Sequence, residues 1–163
     1  MQISTMLQIA LVGSGATLVL DAWLALLKQM GVPTLNFALL GRWVGYALRG
    51  RVYQPAIARA TPIRGELALG WIAHYAIGIA FAALLIGVQG DSWTQDPSLL
   101  PAVIVGICTA AAPLFLMQPA MGAGFAASKT PTPLKNCLRS LVNHAVFGLG
   151  MYVSAVVVDS ILR

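Results

Sequence analysis

Three ionisable residues stand inside long apolar runs of this 163-residue chain: Asp21, His74 and His144. A charged side chain at the centre of a bilayer costs about 2.5–3.5 kcal/mol even on the mildest scales, so such a residue needs a partner, a cavity or a task. Asp and His in series can pass protons, and His titrates near neutral pH. Two His rings on facing helices can instead ligate haem iron from both sides. Two His with a carboxylate from Asp21 or Glu66 would make three ligands of a metal site with one position open.

Spacing places these residues on stripes. Glu66, Gly70, His74 and Gly78 recur every four residues, as do Gly13, Thr17 and Asp21, and Ser140, His144, Gly148 and Tyr152. Residues four apart share one face of a helix. The small residues on these faces let helices approach closely or leave room for a ligand. Tyr75 and Asn143 adjoin the two His residues on neighbouring faces. The candidate ligand- or proton-binding set is therefore Asp21, His74, His144, Glu66, Asn143 and Tyr75, with His74 and His144 the candidates for haem b or a metal. No HxxxH or ExxH spacing strengthens the metal reading. Four readings stay open: a structural network, a proton or substrate pathway, a haem site and a metal site.

The elements that hold these residues follow from composition. The chain is 58% hydrophobic and 9% charged, against about 25% charged in a soluble domain, so it has too little polar surface to wet a globule. The apolar residues fall into four blocks, at about 3–27, 67–88, 99–117 and 138–162. Each is close to the roughly 20 residues that cross a hydrocarbon core. This predicts an all-α fold: one integral membrane domain over 1–163, a bundle of four transmembrane helices. Asp21 and Trp23 interrupt the first block where a cleavable signal would stay apolar, so that block is expected to remain as a span.

Orientation follows from Lys and Arg. Lys28, Arg42, Arg49, Arg51, Arg59 and Arg64 lie in or beside segment 28–66, and Lys129, Lys135 and Arg139 in or beside segment 118–137; only Arg163 falls on the other side. The positive-inside rule makes both long segments cytoplasmic and both termini periplasmic. Asp21, His74 and His144 then lie about 8–12 Å from the cytoplasmic helix ends at the helical rise, in one layer. The positive charges face anionic lipid rather than nucleic acid, because no basic stripe carries interleaved aromatics.

Within the first basic segment, Phe37, Leu40, Trp43, Val44 and Ala47 keep helical spacing, which predicts a short amphipathic, interfacial cytoplasmic helix over 36–48. In the second, Met117 to Pro133 is rich in Gly, Ala and Pro. Gln118, Met121, Gly122 and Gly124 are its candidate cavity-lining residues, as a re-entrant turn or as a plain connector. Pro113 predicts a kink in the third helix. Cys108 and Cys137 are expected at different depths, unbridged. Ala102, Gly106 and Ala110 offer a close-packing face to another helix or a second copy, so a homo-oligomer is one expected partner beside the lipid bilayer.

The strings MQPAMGAGFAASKTP, LRSLVNHAVFGLGMY, LNFALLGRWVGYALRG and GELALGWIAHYAIGIAFA cover much of the chain. They resemble an uncharacterised four-helix inner-membrane family of Gram-negative bacteria, a domain of unknown function. That resemblance implies an inner-membrane location and four helices, and it brings no catalytic residues. No nucleophile elbow or hydrolase triad spacing is visible. The leading expectation is an inner-membrane protein with a buried Asp/His cluster for small-molecule or proton-linked transport or ligand binding. The alternatives are a haem- or metal-binding redox protein and a structural or assembly subunit of a membrane complex.

Overall fold

The computed structural model describes residues 5–162. Ile3, where the sequence starts the first span, and Arg163, the basic residue assigned to the opposite side, lie outside the described residues. All regular structure among the described residues is helical. Four helical stretches are long and apolar enough to cross a membrane: Thr5–Gln29, Glu66–Gln89, Leu99–Ala120 and Pro133–Ile161. The chain is a multi-pass membrane protein, and many Leu, Ile and Val side chains of its long helices are exposed, as contact with lipid requires.

Helix α1 spans Thr5–Gln29. The amphipathic segment forms α2, Phe37–Ala47. It starts at Asn36, whose side-chain oxygen accepts from the backbone N–H groups of Ala38 and Leu39 at 3.0 and 3.3 Å, satisfying two donors left open in the first turn. Helix α3 spans Glu66–Gln89. Helix α4, Leu99–Thr109, leads into a π-helical turn at Pro113–Met117 and the short α5, Gln118–Ala120. Proline lacks an N–H and its ring crowds the carbonyl four residues earlier. Here the path widens instead of breaking, and the N–H of Gln118 bonds the Pro113 carbonyl five residues back.

The last helix, α6, spans Pro133–Leu162 and begins five residues before the apolar block does. Pro is well placed in a first turn, and the Asn136 N–H bonds the Thr132 carbonyl at 3.0 Å. Lys135 and Arg139 do not stop the helix, because long basic side chains can lay their stems along it and reach polar surroundings.

The chain divides into two compact units. Unit 1 comprises residues 1–34, 75–109 and 142–163. Its described core is Val12, Ala16, Ala82, Leu85, Ile86, Trp93, Ala102, Phe147, Met151 and Ala155. Tight crossings in it run over small residues. A Cβ at Gly106 would lie 2.6 Å from the Gly148 Cα, and one at Gly148 would lie 2.7 Å from the Ala102 carbonyl oxygen. Within unit 1, the small-residue face of α4 is thus taken up at Ala102 and Gly106 by α6 of the same chain.

Unit 2 comprises residues 35–74 and 110–141. It contains α2, the first turns of α3, the π-turn, α5 and the first turns of α6. Leu40, Ile57, Ala110, Leu114 and Ala127 are buried apolar residues of this unit.

Candidate functional site

In unit 1 the polar residues inside the spans are paired across helices. Asp21 of α1 accepts a hydrogen bond from the Tyr75 hydroxyl of α3 at 3.0 Å. Two residues on, Trp23 donates its indole N–H to Oδ1 of Asn143 on α6 at 3.0 Å. His144, the next residue of α6, meets Thr109 of α4 with Nδ1 and Oγ1 2.8 Å apart. All four spans therefore supply a member of these pairs. Unpaired polar groups in hydrocarbon cost several kcal/mol, which explains why each of these has found a partner on another helix.

The Thr109 hydroxyl also lies 2.6 Å from the Gly106 carbonyl, so its one proton is shared between that carbonyl and the His144 ring, according to the tautomer. The Phe81 ring lies 6.0 Å from the imidazole, centroid to centroid.

His74 belongs to unit 2. Its ring stands 4.8 Å from Phe37 and 5.9 Å from Trp71, and Phe37 stacks on Trp71 at 4.0 Å. Glu66, placed by the sequence on the His74 stripe, has both oxygens engaged elsewhere in unit 2. Arg42 grips it as a fork, Nε to Oε2 and Nη2 to Oε1, each at 2.8 Å, and the Ile63 N–H donates to Oε2 at 3.0 Å. Nη1 of Arg42 bonds the Ala60 carbonyl at 2.9 Å. The hydrogen bonds it donates to Glu66 hold the Arg42 guanidinium above its ordinary value, so Arg42 stays a cation. Among the described residues, no three His, Cys, Asp or Glu side chains converge as metal ligands.

The glycine-rich segment is pinned to the chain after α2. The Gln54 N–H bonds the Ala120 carbonyl at 2.7 Å, and the Ile57 N–H bonds the Met121 carbonyl at 3.1 Å. Gly122, at φ +93°, packs its Cα against the Pro55 carbonyl, where a Cβ has no room. Gly124 is also left-handed, at φ +79°. Oε1 of Gln118 is buried without a protein donor. Both cysteines are free thiols; Cys137 donates to the Ala126 carbonyl at 3.1 Å, and Cys108 is exposed.

Sequence reasoning missed Trp23, Thr109 and Arg42. Thr109 had a signal: it is one of few polar residues in an otherwise apolar span. Trp23 entered the reading only as an interruption of the first apolar block, and nothing in a linear sequence pairs Arg42 with a carboxylate 24 residues away.

A family model described as "protein of unknown function (DUF2938)" matches residues 10–158. No curated protein and no solved structure matches the chain.

Proposed function

The chain belongs to the DUF2938 family of proteins of unknown function, and from that premise we propose a proton-linked inner-membrane transporter of a small molecule, with Asp21 as its proton-exchanging group. The observation that carries this reading is the hydrogen bond from Tyr75 to Asp21 between two membrane-spanning helices. A phenol hydroxyl can donate to a carboxylate and accept from a carboxylic acid, so the group can exchange its proton without losing its contact. His144 is a second candidate proton-exchanging group in the same unit. Thr109 positions His144, and the Trp23–Asn143 bond ties α1 to α6 at neighbouring residues. His74 is a further titratable candidate, to be tested by the same measurements. The basic bias of segments 28–66 and 118–137 supports a cytoplasmic placement for both and periplasmic termini.

Infrared difference spectra of the purified protein, cycled between acid and alkaline pH, test the assignment. Asp21 should contribute a protonated-carboxyl band that Tyr75→Phe shifts and Asp21→Asn removes. Superimposable spectra for the wild type and Asp21→Asn would mean that this carboxyl does not exchange its proton.

A further inference from the structure

We propose that unit 2 is a docking surface for the headgroups of anionic phospholipids. The argument is independent of the proton reading. Unit 2 holds eight Lys or Arg residues and a single carboxylate, Glu66. That carboxylate is already consumed by Arg42. Arg49, Arg51, Arg59, Arg64, Lys129 and Lys135 are all exposed, so the surface carries a large uncompensated positive charge.

What distinguishes this surface from a basic loop in water is the apolar material between the charges. In the run Leu48-Arg49-Gly50-Arg51-Val52-Tyr53, Leu48 is 78% exposed, Val52 55% and Tyr53 61%. Phe125, four residues before Lys129, is 66% exposed, and Leu134, beside Lys135, is 83% exposed. Large apolar side chains alternating with Arg and Lys suit the boundary between headgroups and acyl chains, where the apolar part enters the hydrocarbon and the cation meets phosphate.

The two basic stretches are also fastened together. The backbone bonds from Gln54 to Ala120 and from Ile57 to Met121 hold segment 49–59 to the start of the segment bearing Phe125 and Lys129. The Trp43 indole N–H donates to the Val52 carbonyl at 2.8 Å and the Tyr46 hydroxyl to the Thr61 carbonyl at 3.1 Å, tying the chain to α2 at Val52 and again just past Arg59. Side chains held in place lose less freedom on binding than those of a loose tail, which favours a retained lipid over a diffuse ion cloud.

The test is lipid retention by the full-length protein in neutral detergent, read by native mass spectrometry with phosphatidylglycerol and phosphatidylcholine supplied in equal amounts. The expected result is a preference for phosphatidylglycerol that falls about fivefold for each Arg removed, hence about twenty-five-fold in Arg49→Gln/Arg51→Gln. The charge-conserving Arg49→Lys/Arg51→Lys should keep most of the preference. Because both residues are exposed, melting in phosphatidylcholine alone should be unchanged, which separates lipid binding from folding. Equal retention of the two lipids by the wild type would overturn the proposal, as would an undiminished preference in the Gln variant. So would displacement of phosphatidylglycerol by inorganic phosphate at matched concentration, which would make this a free-anion site.

Discussion

Gly70→Val is expected to cost about 3 kcal/mol, the upper end for an overpacked interior, and to leave little folded protein at growth temperature. Helix α2 crosses the first turns of α3 in backbone contact. A Cβ at Gly70 would fall on the Phe37 carbonyl, and one at Gly41 would fall on the Glu66 carbonyl. Neither obstacle is a flexible side-chain tip, so the helices themselves must separate, and that opens the Arg42–Glu66 pair beside them. Gly87→Ala, in the same helix, is the control. Nothing lies within 4 Å of a Cβ there, so the change should fall within about 1 kcal/mol of the wild type, on the stabilising side. Thermal unfolding of the purified variants, followed by circular dichroism, checks both. A Gly70→Val protein that melts with the wild type would show that the crossing is not close.

Arg42→Met is expected to lower the melting temperature by an amount on the order of 10 °C. The Arg42 and Glu66 side chains are only 10% and 16% exposed, which removes the pair from the class of surface bridges worth little. Losing Arg42 strands a nearly buried carboxylate and leaves the Ala60 carbonyl without its donor. The double variant Arg42→Met/Glu66→Met removes the stranded charge as well and should recover most of the loss. It should fall short of the wild type by the lost bond to Ala60. A double variant no better than the single one would mean that the Arg stem, rather than its charge, carries the stability.

Much of the fold was legible because a bilayer imposes a length. Four apolar blocks near 20 residues became four spanning helices, and Asn36 ahead of an amphipathic run became a capped helix. The fourth apolar block, at about 138–162, opens five residues inside α6, because hydropathy marks the apolar stretch and basic side chains at a helix end need not leave the helix. Pro113 announced an irregularity, though not that a π-turn would absorb it, since proline constrains only its local backbone. At the candidate site, periodicity identified the faces bearing Asp21 and His144. Their partners Tyr75 and Thr109 were not identifiable as such, because rotation of one helix against another is set by close packing, as at Gly106 and Gly148. Tyr75 was read as lying on a neighbouring face, and it is from there that its hydroxyl reaches Asp21.

The most direct test of proton-linked transport is proton movement itself. Purified protein in liposomes enclosing a pH-sensitive dye, given an outward-acid gradient and an external small-molecule extract of cells to supply cargo, should acidify the lumen faster than protein-free liposomes. Asp21→Asn, inserted to the same level, should return the rate to that background. Wild-type and Asp21→Asn liposomes acidifying at the same rate would contradict the account and leave the intramembrane pairs as helix-packing contacts.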